Sequence, residues 1–533
     1  MATISNLRRD SEVLALAEVE PEIRACDLSW RRKYLQDYAQ AFRSYERVLD
    51  SSELEARIAR ADSILLGDYH ALPACQHFAA RLVKDRASIK DRASIKDRPV
   101  VLAVETIFSR DQHILDEWWR REIGESELRQ RIRFDLDWGY DWEPFYDLIS
   151  CAREHADGLY GLDCMPREDL RKIGARDRHA AHKIADIRQR HPEAVIITLI
   201  GESHLAPAHL PALVREQLNS EDVLTILQNV DALYWPANEE PQPAPAVSID
   251  DSTVCVFNST PIEKYESYQL CLDRWSKEDP AEDYAPAIYS LIDELLRFLD
   301  INRHSPTNGT QPKFLVDLLP EVRRPSNQEL RRLLSRAGFT AHETRTVLAQ
   351  LKGRGCVYLP QLNAFIVREF QTEYAAEEAA RFLHHACQGL PLKCTTRFAS
   401  QSDDHLHAAT LEHALAYLGS QILRRLSQPR PSMRPRSRSR IPEKAREAQF
   451  RDEHARSLSC RGSLSLREDR VCGDSSSCAI MDGRLLGQGL YSAYERGLLS
   501  RSDLRRIFLV SIHDPEKARD LRAQLSRRIQ LTE

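Results

Sequence analysis

Two short stretches of this 533-residue chain carry residue types suited to chemistry, and they repeat one another. Leu65–His70 reads LLGDYH and Leu199–His204 reads LIGESH, each an apolar run followed by Gly-x-x-His with an acid directly after the glycine. Each device follows a run that reads as a buried strand, SILLGD (63–68) and AVIITLIGES (194–203). In an open α/β sheet, ligands bind beyond the carboxyl ends of the strands, and glycine permits the tight turn needed there. Two such turns on neighbouring strands would bring His70 and His204 together, with Asp68 and Glu202 beside them. Glu105, in the third run PVVLAVETI (99–107), would arrive at the same edge. Two imidazoles and a carboxylate suit a divalent metal ion, and imidazole equally suits haem iron. A lone G-x-x-H arises often by chance; the shared acid offset and the strand before each copy argue that this pair forms one site.

Other residues could join it. His77 lies seven positions after His70, so a helix over 71–85 would return it to the same face as a further ligand or an orienting group. Tyr69 stands between the acid and the histidine of the first device, and a phenolate can ligate ferric haem. The stretch DLDWGYDWEPFY (135–146) supplies Trp138, Tyr140 and Trp142, with Phe145 and Tyr146, as an aromatic pocket for a flat ligand; core packing is the alternative. Arg176–Asp177 reads as an ion pair at a helix start, facing the site or exposed.

The elements that must position these residues follow from patterning. Residues 1–60 read as helical, with SSELEARIARA opening on a capping pattern. Short β-branched runs at 63–68, 99–107, 158–163, 194–203 and 223–229 then alternate with helical stretches at about 71–85, 110–132, 143–156 and 166–191. That alternation predicts a parallel α/β sheet over 61–305. Within it, KDRASIKDRASIKDR (84–98) is a direct repeat expected in an exposed loop, and PANEEPQPAPAV (236–247) reads as a Pro-rich excursion. Residues 320–372 offer two capped helices and a hairpin, a winged-helix-like module through which nucleic acid could bind. A helical region (373–426), a basic Pro/Ser/Arg linker (427–446) and an α-rich region with one expected strand (447–533) complete the chain. The clusters His384, His385, Cys387, Cys394, then His405, His407, His413, and the cysteines 460, 472 and 478 match no common metal spacing.

Composition sets the limits. Apolar residues make up 42% and charged residues 29%, as in soluble globular protein. A net charge of −5 argues against a surface built throughout for nucleic acid. No run approaches the roughly 20 apolar residues of a membrane span, and the first residues carry acids rather than a signal-peptide core. The 12 cysteines, without a C-x-x-C pair, read as reduced thiols. A cytoplasmic protein is expected, with room for a homodimer.

The motifs from Asp62 to Leu218 resemble the ChaN-like haem-binding uptake family, a branch of the Tiki superfamily that also includes erythromycin esterases and the Tiki metalloproteases. The resemblance extends as a domain over about 60–275. It rests on LLGDYHALPACQHFAARLV, on LAVETIFSRDQHILDEW with its strand glutamate, on the Trp-rich LDWGYDWEPFYDLISCAREH, and on KIGARDRHAAHKIADIRQRHPEAVIITLIGESH. It implies an α/β domain that binds haem or handles iron. The wider superfamily implies metal-dependent hydrolysis centred on His70, His204 and Glu105, with Asp68, His77 and Glu202 in support; Glu105 and Glu202 are then the catalytic candidates. The chain departs from the family in lacking a signal and lipobox and in carrying large C-terminal additions. Two functions follow as expectations: a haem or small-molecule binding protein, and a metal-dependent hydrolase.

Overall fold

The β-branched runs become strands because each can be buried on both faces at once, the condition a parallel sheet imposes. The computed structural model describes residues 33–88, 98–164, 173–219, 222–238, 244–277, 283–303, 315–388, 403–427, 475–510, 512 and 515–530. It divides into two units, Met1–Tyr284 with Asn302–Glu321, and Ala285–Ile301 with Val322–Glu533.

The first unit is built on eight strands: β1 (Arg47–Leu49), β2 (Ser63–Asp68), β3 (Val100–Phe108), β4 (Gly158–Asp163), β5 (Val195–Gly201), β6 (Val223–Gln228), β7 (Ala246–Asp250) and β8 (Thr253–Val256). Their order across the sheet is β1-β7-β8-β6-β2-β5-β3-β4. The six strands from β8 to β4 run parallel, while β7 and β1 are added antiparallel at one edge. Every residue of β2, β3, β5 and β6 is buried. On one face Leu65, Val101, Ala103 and Ile196 join Ala180, Ala181, Ile184 and Ile187 of helix Ile173–Arg190 and Val214 of helix Leu210–Leu218 in one apolar cluster.

Several expectations change. Residues 1–60 are not helical throughout: helix Lys33–Ala41 ends early and Arg47–Leu49 pairs with β7 as an edge strand. The Pro-rich excursion yields β7 at its end, where Ala246, Val247 and Ser248 pair with β8. The stretch 110–132 is two helices, Gln112–Trp119 and Glu125–Arg131, separated at Gly124. The centre of the direct repeat (89–97), residues 239–243 of the excursion and most of the basic linker lie outside the described residues.

One irregularity aims a side chain. The pairing of β3 with β4 shifts register between Val104 and Phe108, the stretch that carries Glu105. Bulges of this kind redirect side chains next to functional sites. Gly161 on β4 lets the shifted backbone approach, since a Cβ there would lie 2.7 Å from the Ile107 carbonyl oxygen and 2.8 Å from that of Phe108. Both neighbours are backbone, so Gly161→Ala should destabilise the unit by about 1–3 kcal/mol through overpacking. Chemical unfolding of the two proteins side by side measures it; equal midpoints would show that the bulge needs no glycine opposite.

The second unit carries a sheet of β9 (Glu321–Arg323, beginning at the unit boundary), β10 (Cys356–Leu359) and β11 (Ala364–Val367) in the order β10-β11-β9. Between β9 and β10 lie helices Asn327–Arg336 and Ala341–Arg354, each opened by a full capping box, Ser326 with Glu329 and Thr340 with Glu343. Leu330, Leu334, Val347, Leu351, Val357, Leu359 and Ile366 form their core. Further helices span Ala285–Leu299, Thr372–Gln388, Asp403–Ser427, Ser475–Glu495, Arg501–Leu509 and Pro515–Gln530. The strand expected within 447–533 is absent among the described residues there, which form the helices Ser475–Glu495, Arg501–Leu509 and Pro515–Gln530. Among the described residues no helix is long and apolar enough to cross a membrane.

Candidate functional site

β5 lies between β2 and β3, so the carboxyl ends of three strands stand side by side. Asp68 at the end of β2 is level with Gly201 at the end of β5. Both Gly-x-x-His turns therefore leave the sheet at the same edge, and Glu105 comes from the adjacent strand.

The two histidines meet on one carboxylate. His70 Nε2 is 3.5 Å from Glu105 Oε2 and His204 Nε2 is 3.5 Å from Glu105 Oε1. Each ring is fixed from behind by its own acid, His70 Nδ1 at 2.7 Å from Asp68 Oδ2 and His204 Nδ1 at 2.5 Å from Asp177 Oδ1. A carboxylate on the second nitrogen sets tautomer and ring orientation, the usual support of a ligating imidazole. Glu105 Oε2 also accepts from the Gly201 amide at 2.5 Å, and Arg176 donates to Glu105 Oε1 at 3.0 Å while forking onto Asp163 at 2.9 and 2.8 Å. Gly201 forms the floor: a Cβ there would lie 3.0 Å from Glu105 Oε2 and 3.4 Å from His70 Nε2.

The electrostatics follow from this crowding. Burial works against a charged His70, but Asp68 and Glu105 outweigh it and lift the ring to about 9. His204 rises to about 9 in the same way, burial being overcome by Glu105 and Asp177. Glu105 is itself buried, yet His204 and His70 hold its carboxyl well below the ordinary range. Left to itself, the cluster keeps protons on both imidazoles at neutral pH. A cation or iron that took their lone pairs would displace those protons.

The remaining candidates divide. Trp138 and Tyr140 do face the site, their rings 5.2 and 5.3 Å from that of His70, with Phe145 at 6.4 Å. Trp142 does not: it packs on Phe134 and Tyr146 and donates its Nε1–H to Glu125. His77 is exposed. The turn at residues 70–72 precedes helix Pro73–Ala87, so helical phase starts afresh at Pro73, and the buried stripe falls on Cys75, Gln76, Ala79, Leu82 and Val83. Gln76 takes the inward place and donates to Asp68 Oδ1.

Tyr69 and Glu202 make a second, separate group. Lys264, from helix Pro261–Lys277, reaches Glu202 at 3.2 Å and the Asn229 carbonyl at 3.3 Å, with its ammonium 4.6 Å from the centre of the Tyr69 ring. Burial pushes the Tyr69 phenol well above its ordinary range and raises the Glu202 carboxyl against the pull of Lys264. Tyr69 is thus held as a neutral phenol under a cation, and Glu202 is an ion-pair partner rather than a neighbour of Glu105.

Sequence reasoning missed Tyr34, Asp163 and Lys264 and left Arg176–Asp177 open; both members of that pair are buried in the cluster. Tyr34, on helix Lys33–Ala41, donates to Asp177 Oδ2 at 2.8 Å, lies 3.1 Å from His204 Nδ1 and stacks on His209 at 3.9 Å. No local signal marks it.

A mostly parallel α/β sheet with paired imidazoles and carboxylates at its carboxyl edge is the class that fold and site define. Residues 54–186 match the family described as "Haem-binding uptake, Tiki superfamily, ChaN". A solved structure, "Cofacial heme binding to ChaN of Campylobacter jejuni", is 12% identical, over 39% of this chain and 92% of that one, with a TM-score of 0.27. Among curated proteins none matches.

Proposed function

We propose that the first unit binds haem at the shared carboxyl edge of β2 and β5, with His70 as the iron ligand. The observation that carries this reading is the surround of His70: an imidazole oriented by Asp68, walled by Trp138, Tyr140 and Phe145, and set close to the side-chain-free Gly201. The family match over 54–186 supports it. When bound, haem would supply an iron centre for ligand binding or redox chemistry. A porphyrin already gives its iron four nitrogens, so one or two protein ligands suffice. A bare cation asks for more, and among the described residues no group of three or more His, Cys, Asp or Glu is arranged to hold a metal ion.

Haemin titration of the full chain, read at the Soret band, tests the proposal. Saturation at one haem per chain or per pair of chains is expected, the second ratio marking a dimer. The shift should be lost in His70→Ala and altered in His204→Ala. His77→Ala should leave it unchanged, because that ring is exposed. Tyr69→Phe should leave it unchanged as well, because burial holds the Tyr69 phenol protonated; a lost Soret shift there would move the iron to Tyr69.

A second reading, metal-dependent hydrolysis, has one observation in its favour, the chain Asp68–His70–Glu105–His204–Asp177. In it the two imidazoles would hold a divalent cation and Glu105 would act as general base. Elemental analysis of the purified protein, with one metal per chain lost in both His→Ala variants, would favour it. A cytoplasmic setting belongs to the first proposal, supported by the free thiols Cys75, Cys151, Cys255, Cys356 and Cys387. The proposal also gives the second unit a winged-helix arrangement, supported by its order of strand, two helices and hairpin.

A further inference from the structure

The helix pair of the second unit has a side that its core does not use. Helix Asn327–Arg336 buries Leu330 and Leu334, and its opposite stripe, Gln328, Arg331, Arg332, Ser335 and Arg336, is exposed. Helix Ala341–Arg354 buries Val347 and Leu351 and exposes His342, Arg345, Thr346, Ala349 and Lys352. The positions in each stripe are three and four apart, so each forms one continuous surface.

The charge on this side is one-signed. Arg331, Arg332, Arg336, Arg345 and Lys352 are all exposed. The two acids on the same helices are engaged in capping, Glu329 accepting from the Ser326 amide and Glu343 from the Thr340 amide. Arg354, by contrast, turns inward onto Glu377 and Glu378. The connection between the helices is four residues, Ala337–Thr340, with Gly338 at φ +82°. A short glycine-containing turn between two such helices is the helix-turn-helix arrangement, in which the second helix enters the major groove and the first crosses the backbone.

We propose that this side of the second unit is a docking surface for duplex DNA. Arg331, Arg332 and Arg336 meet phosphates, and the stripe His342–Arg345–Ala349–Lys352 lies along the groove. The stripe suits close approach: Ala349 is small, and a Cβ added at Gly353 would meet nothing within 4 Å. Charge complementarity selects the partner, since a duplex presents one negative charge about every 1.7 Å. The surface lacks what a bilayer would require, because Leu333, Phe339 and Leu348 pack on the core instead of facing out. The net charge of −5 for the whole chain means that attraction to a duplex must come from local basic patches such as this one. The proposal stands apart from haem binding and uses none of its residues.

The test is fluorescence anisotropy of a labelled mixed-sequence duplex of roughly 20 base pairs, two helical turns, titrated with the full chain at several salt concentrations. Binding that weakens steeply as salt rises is expected. The double variant Arg331→Gln/Arg336→Gln should bind at least about 10-fold more weakly and show a salt slope shallower by about one per lost phosphate contact. Both side chains are exposed, so the circular dichroism spectrum and haemin titration should not change. Absence of binding at low salt would overturn the proposal. So would undiminished binding by the variant, which would assign the DNA to the arginine-rich stretch 427–446, or a preference for single-stranded RNA or anionic vesicles over duplex DNA.

Discussion

Arg176→Met should cost the first unit about 3–5 kcal/mol, the penalty for removing one partner from a buried ion-pair network. The guanidinium is buried and serves both Glu105 and Asp163, so its loss leaves two carboxylates facing each other without their common counter-charge. Methionine fills most of the volume, which isolates charge from packing. All seven tryptophans of the chain precede residue 284, so their fluorescence during urea unfolding follows the first unit alone. A loss below about 1 kcal/mol would sink the description of Arg176 as counter-charge to the cluster. The same variant should bind haemin more weakly, because Glu105 would no longer be held opposite the two histidines.

The second large effect concerns pH. His70 and His204 are each lifted from 6.5 to about 9 in the folded chain. Between those values the folded protein binds more protons than the unfolded one, so stability must fall as pH rises. The contribution is complete below pH 6.5 and lost as pH passes through 9. Each shift corresponds to roughly 3 kcal/mol, and the two do not add, because both histidines draw on Glu105. From the acid side the sign reverses: Glu105 is depressed, so its contribution is present above the ordinary glutamate range and lost as pH falls. Without ligand, the optimum should therefore lie near pH 5–6.5. Haemin affinity should run the other way, rising from pH 6.5 to 9 as a ligating imidazole gives up its proton more readily. Urea midpoints and haemin titrations at three pH values measure both slopes; an affinity that falls over this window would remove the imidazoles as ligands.

What the sequence made legible here was local. A buried run, a glycine, an acid and a histidine occupy a few consecutive positions, and their parallel strands carry a two-sided apolar signature that needs no tertiary knowledge. Glu105 was readable for the same reason. His77 was not, because helical phase depends on where the helix begins, and three intervening turn residues moved the inward position to Gln76. Trp142 and Trp138 are four residues apart in one aromatic segment, yet the helix beginning at Trp142 carries the former away toward Phe134. Tyr34 and Lys264 lie 170 and 60 positions from His204, and only the order of strands brings them to its edge. Glu202 parts from Glu105 although β5 and β3 are neighbours, because its carboxylate is turned onto Lys264.

Strand β5 has a consequence for how the protein is made. It sits between β2 and β3 but is synthesised after both, and it begins nine residues beyond the end of the family match at 186. A nascent chain that has emerged only that far holds two apolar strands whose facing edges cannot pair with each other in the native order. Open edges of that kind are templates for association with other chains, and the parallel pairing they await is intrinsically slow. Ribosomal release of residues 195–201 should thus be the event that joins β2 to β3 and creates the floor of the site in one step, before β6, β7 and β8 extend the sheet. A fragment cut at the boundary of the family match should accumulate as aggregate, and the shortest soluble form of the first unit must extend past Gly201.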